Sequence, residues 1–89
     1  SKEGELFARR VVLLFEALNE KLTREMGPSA QIGHSFFMVP NLDEAKLRVV
    51  WDHHVRPQLV ESFGGNTSRA DEYEPERLLR GRKRASETP

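Results

Sequence analysis

Apolar residues at Phe7, Val11, Leu14, Phe15, Leu18 and Leu22 recur every three or four positions, the repeat of one face of an α-helix. The pattern predicts a helix from Glu5 to Met26. Gly27 offers a left-handed C-terminal cap, and Pro28 forbids continuation. Leu6, Leu13 and Ala17 lie on a second face of the same helix, so the helix is expected to meet two neighbours. Simple core packing accounts for both faces; alternatively, the second docks on a domain outside the chain. The period then changes. Gln31-Ile32-Gly33-His34-Ser35-Phe36-Phe37-Met38 is short and β-prone. In an extended conformation Ile32, His34, Phe36 and Met38 share one side, and Gly33, Ser35 and Phe37 the other. A lone strand is unstable in water and needs a partner.

A second helix is predicted to start at Asn41, a favoured N-cap with Glu44 three residues on, as in a capping box. Its inward stripe comprises Leu47, Val50, Trp51, His54 and Val55, with His53 toward solvent. Pro57 has no N–H for the carbonyl of His53, which predicts a kink or restart there. Leu59, Val60 and Phe63 continue the stripe to Gly64-Gly65. Beyond that, large apolar residues are reduced to Tyr73, Leu78 and Leu79, and acids (Asp71, Glu72, Glu74, Glu76) precede bases (Arg77, Arg80, Arg82, Lys83, Arg84). Pro75 can open a helical turn through Arg80. The reading is a helical domain over residues 1–65 and a flexible charged tail over 66–89. The fold class is mainly α, with one short extended segment.

Composition changes this picture in one respect. A chain of 89 residues buries only about 60% of its unfolded surface and is marginally stable alone. Without a disulfide or an evident metal site, a partner or the remainder of a longer chain is expected to support it. Fourteen basic residues balance fourteen acidic ones, so no global charge draws the chain to nucleic acid or a membrane. No apolar run approaches the roughly 20 residues of a membrane span. The first residues lack the apolar core of a signal peptide. The absence of cysteine excludes thiolate catalysis and Cys-based zinc sites and fits a cytoplasmic location.

Candidate chemistry is sparse. Neither Gly-x4-Gly-Lys-Ser/Thr nor Gly-x-Gly-x-x-Gly occurs, so the chain by itself is expected neither to hold nor to hydrolyse a nucleotide. His53 and His54 diverge by about 100° on a helix, and His34 is distant in sequence, which argues against a metal site. Ser35 and His34, as strand neighbours, point to opposite sides, which argues against a hydrolase. The basic run from Arg77 to Arg84 has no interleaved aromatic residue for base stacking. It reads as a solvated end balanced by the acids before it, although it carries the charge to touch nucleic acid.

Leu18-Asn19-Glu20-Lys21-Leu22, then Gln31-Ile32-Gly33-His34-Ser35-Phe36-Phe37-Met38, then Val55-Arg56-Pro57-Gln58-Leu59-Val60-Glu61-Ser62-Phe63 resemble the C-terminal end of the McrB-type AAA+ nucleoside triphosphatases. These are the motor subunits of methylcytosine-dependent restriction systems and their relatives. The resemblance covers residues 5 to 64. Its most specific part is Gln31-Ile32-Gly33-His34-Ser35. Phe36 stands where the family usually has Tyr, and Ser62 where it has an acid.

The resemblance implies the helical lid of such an ATPase or GTPase, separated from the core domain that carries the phosphate loop, the magnesium-binding acids and the arginine finger. ATP or GTP with magnesium would belong to that parent. The partners implied are the AAA+ core, neighbouring subunits of a ring and a nuclease subunit, with DNA reached only through the parent. Gly33, His34 and Ser35 look like the corner that approaches nucleotide, with Gly33 allowing close backbone approach and His34 or Ser35 donating a hydrogen bond. On the same residues, His34 and Ser35 can instead merely fix the turn. The alternative function is a stand-alone helical adaptor that binds a protein or nucleic acid through the second face of the first helix or the basic tail.

Overall fold

The computed structural model describes residues 2–33, 35 and 39–87, with side chains described through Arg82. Helix α1 spans Lys2–Met26. Its predicted stripe is the buried one: Val11, Leu14, Phe15, Leu18 and Leu22 are all enclosed, and Phe7 packs at the margin of the core. Gly27 closes the helix with φ 91°, and its N–H donates to the Thr23 carbonyl at 3.0 Å. A single 3-10 turn, Pro28–Ala30, follows.

Helix α2, Glu44–Val50, starts two residues later than the sequence suggests. Asp43, not Asn41, is its cap: the Asp43 carboxylate accepts from the Lys46 backbone N–H at 2.8 Å. Both residue types cap well, but a carboxylate adds a favourable charge at the positive helix end. Asn41 instead takes the left-handed turn position, with φ 60°, which Asn tolerates better than most residues. The helix then widens into a π-turn, Trp51–Val55, before α3, Arg56–Ser62. This is the disturbance expected from Pro57. The Arg56 N–H reaches back five residues to the Trp51 carbonyl, and the Gln58 side chain donates to the His54 carbonyl at 3.0 Å. Leu47, Trp51, Val55, Leu59 and Phe63 form the inward stripe, with Trp51 only 1% exposed. His54, expected on that stripe, is exposed, as is His53. The π-turn rotates the stripe to Trp51 and Val55 and turns the residue between them outward.

Gly64 and Gly65, with φ 62° and 88°, reverse the chain. Two further helices follow: α4, Thr67–Asp71, and α5, Pro75–Glu87. Asn66 caps α4, its side chain accepting from the Arg69 N–H at 3.2 Å. Ala70, Tyr73 and Leu78 enter the same core as α1 and α3, and Tyr73 is 0% exposed. The boundary expected at residue 65 is therefore not where the core ends, and the charged segment is structured and packed at least through Arg82. Ala17, on the second face of α1, is covered, whereas Leu6 and Leu13 stay open at 64% and 43% exposure. The described residues contain no β-strand. Of the predicted extended segment, Gln31–Gly33 is irregular, while His34, Phe36, Phe37 and Met38 lie outside the described residues.

Candidate functional site

The segment after α1 is clasped to that helix by side chains. Asn19 Oδ1 accepts from the Ile32 N–H at 2.8 Å, and Asn19 Nδ2 donates to the Ile32 carbonyl at 3.1 Å. One amide thus satisfies both polar backbone groups of a residue whose side chain is buried in the core, a pairing that burial demands. One turn further along α1, Gln31 Nε2 donates to Thr23 Oγ1 at 2.9 Å. Ile32 points in, and Gly33 and Ser35 are exposed.

Of the three candidate site residues, Gly33 and Ser35 therefore sit on the surface at a corner held by Asn19. His34 is outside the described residues. A Cβ at Gly33 would meet nothing within 4 Å, so the space over this backbone is open. The corner can offer exposed backbone and a serine hydroxyl, able to donate or accept. An open groove of about 530 Å³ runs beside the clasp along α1, with Asn19, Thr23, Gln31 and Arg24 among its walls. The clasp residues were not recognised as a unit from the sequence, although Asn19 carries a signal. A poor helix former set between the core residues Phe15, Leu18 and Leu22 needs a tertiary reason to be there.

The opposite side of the bundle is held by charge. Arg48 pairs with Asp52 at 2.8 Å and with Glu74 at 2.8 Å, and Glu76 lies 3.7 Å away. Arg56 pairs with Asp71 at 2.7 Å and lies 3.8 Å from Glu74. Hydrogen bonds donated to Asp52 and Glu74 hold the Arg48 guanidinium even more firmly protonated than usual. The Tyr73 hydroxyl donates to the Glu25 carboxylate, and the Tyr73 ring lies 5.4 Å from that of Phe63. Burial first, then the bond to Glu25, pushes the Tyr73 phenol above its ordinary range. Among the described residues no group of histidines and acids is placed to hold a metal ion, and no helix is long and apolar enough to cross a membrane.

The mainly helical fold is consistent with what family comparison finds. Residues 10–71 match the model of the McrB alpha-helical lid domain. The match takes in more than half of the chain, from the apolar stripe of α1 through α4, and the chain belongs to that family. It is thereby associated with the McrB-type AAA+ proteins of restriction systems, in which a lid accompanies an AAA+ core domain. No curated protein and no solved structure matches the chain.

Proposed function

We infer that this domain closes over a nucleoside triphosphate held by an AAA+ core and passes the closure on to the neighbouring subunit of a ring. The observation that carries the reading is the Asn19 clasp on Ile32. It fixes Ile32 against α1 while leaving Gly33 and Ser35 exposed. Gly33, His34 and Ser35 are the nucleotide-facing residues. Gly33 admits the nucleotide close to the backbone, and His34 or Ser35 donates a hydrogen bond to it. The nucleotide is ATP or GTP with magnesium, both held by the core, because the chain has no phosphate loop of its own. Leu6 and Leu13, exposed on the second face of α1, form the surface that docks on the core. Ring neighbours, a nuclease subunit and DNA are reached through the assembled protein, in the cytoplasm.

The test is His34→Ala and, separately, Ser35→Ala in the intact AAA+ protein. A hydrogen bond to a charged phosphate contributes about 1.5–3 kcal/mol, so its loss should lower nucleotide affinity or turnover about ten- to hundredfold. Circular dichroism should show the lid still folded. Wild-type affinity and turnover in both folded variants would return these residues to a purely structural role.

A further inference from the structure

The sequence sets Asp71, Glu72, Glu74 and Glu76 against the basic residues that follow, as if the two runs cancelled. The fold separates them. Asp71 and Glu74 are taken by Arg56, and Glu74 and Glu76 face Arg48, on the α2–α3 side of the bundle. Arg82 is answered by Glu16 and Glu20 of α1 at 3.1 and 2.8 Å. Among the described residues, the guanidinium groups of Arg24, Arg77 and Arg80 make no hydrogen bond or ion pair.

Arg24 and Arg77 meet in one groove between α1 and α5, of about 500 Å³. Lys21 and Arg82 also line it, Glu20 is its lone carboxylate among the described residues, and Gly81 opens the wall of α5. Lys21 is held at the groove by the Glu72 carbonyl, 3.3 Å away, and by the Tyr73 ring, 4.8 Å from its ammonium. With Arg82 paired to Glu16 and Glu20, Lys21, Arg24 and Arg77 are left to repel one another, and a bound anion relieves that repulsion.

We propose that this groove binds the phosphodiester backbone of nucleic acid, with Arg24 and Arg77 as the phosphate ligands. Guanidinium groups pair with phosphate oxygens in a two-pronged geometry. The charge does not end at the groove: exposed Arg80 extends it along α5, which suits a chain of phosphates better than a single anion. Among the described residues no aromatic side chain lines the groove, so bases have no stacking platform there and the contact is made to the backbone irrespective of sequence. The site is separate from the Gly33–Ser35 corner and does not depend on its role.

The experiment is fluorescence anisotropy of the 89-residue chain with a short labelled DNA duplex across a salt series. Wild type should bind at low salt and weaken steeply as salt rises. Arg24→Ala combined with Arg77→Ala should weaken binding about tenfold or more and flatten the log–log salt slope by about 2, since each phosphate contact contributes about 0.9. Gly81→Glu should abolish binding by placing a carboxylate in the groove; a Cβ there meets nothing within 4 Å, so the fold accommodates it and this variant decides the matter if the arginine pair fails to fold. Lys2→Ala combined with Arg9→Ala removes the same charge from the start of α1 and should leave affinity nearly unchanged. No binding by wild type, an equal loss in the Lys2/Arg9 pair, or displacement by ATP or polyglutamate as readily as by unlabelled duplex would each overturn the proposal.

Discussion

Asn19 holds the loop after α1 with two neutral hydrogen bonds from a half-buried amide, whereas Arg48 and Arg56 hold the α4–α5 junction, through Asp71, Glu74 and Glu76, with ion pairs that water reaches. The first device fixes a backbone in place. Each bond contributes about 0.5–1.5 kcal/mol, and neither is screened by salt. The second joins long side chains whose pairs contribute about 0–1 kcal/mol each and weaken with ionic strength. The contrast assigns different work to the two sides. The clasp positions an exposed corner, and the staples tune a junction whose real anchorage is apolar, through Ala70, Tyr73 and Leu78.

The largest test of that contrast lies in the apolar anchors themselves. Trp51→Ala and Tyr73→Ala should each cost about 3–5 kcal/mol, as truncation of enclosed aromatic residues does. Chemical denaturation should show similar losses for both, although one lies in the first two-thirds of the chain and the other in its charged final third. A small loss for Tyr73→Ala alone would mean that α4 and α5 add little to the core. Asn19→Ala should come next, at about 2 kcal/mol, because it strands the N–H and C=O of Ile32 together. Hydrogen exchange should show the Ile32 amide losing protection ahead of the amides of α1. If the Ile32 amide stays protected, the clasp is not what holds the corner.

Tyr73→Phe removes only the bond to Glu25 and should cost about 1 kcal/mol at neutral pH. Its signature is pH dependence. The folded phenol titrates above the unfolded one, so the folded state holds its proton more tightly. That contribution is complete below about pH 10, where the unfolded phenol ionises, and is lost as pH rises toward the folded value. Wild type should therefore lose more stability than Tyr73→Phe between neutral pH and strongly alkaline pH; parallel pH profiles would remove the bond from the account. The smallest effect belongs to the staple. Arg56→Ala should cost less than about 1 kcal/mol, and the difference should shrink in high salt. A larger, salt-insensitive loss would show that Arg56 acts by packing.

The residues explain what the sequence disclosed. Val11, Leu14, Leu18 and Leu22 announce α1 because one long uninterrupted stripe repeats a single geometric signal. Pro57 announces the break before α3 because its missing N–H acts locally. Both Asn19 and the motif Gln31-Ile32-Gly33-His34-Ser35 are visible through the resemblance to McrB-type lids, but their pairing is not, since a contact 13 residues apart leaves no periodic trace. Asn41 and Asp43 are both good caps, and only backbone geometry separates them. His54 falls on the apolar stripe at ideal helical spacing, and the π-turn displaces it. In α4 and α5 the buried positions are single residues, Ala70, Tyr73 and Leu78, divided by the break at Pro75. No stripe forms, and charges that the fold spends in pairs with distant arginines look in sequence like a solvated tail.

The most direct measurement of the central claim sets clasp against staple in the intact AAA+ protein. Steady-state nucleotide hydrolysis should be compared for Asn19→Ala and Arg56→Ala, at a temperature where circular dichroism shows both lids folded. If the clasped corner meets nucleotide, Asn19→Ala should lower turnover about tenfold or more, because a misplaced corner forfeits a phosphate contact of about 1.5 kcal/mol or more, while Arg56→Ala stays near wild type. Equal, undiminished turnover in both folded variants would contradict the account.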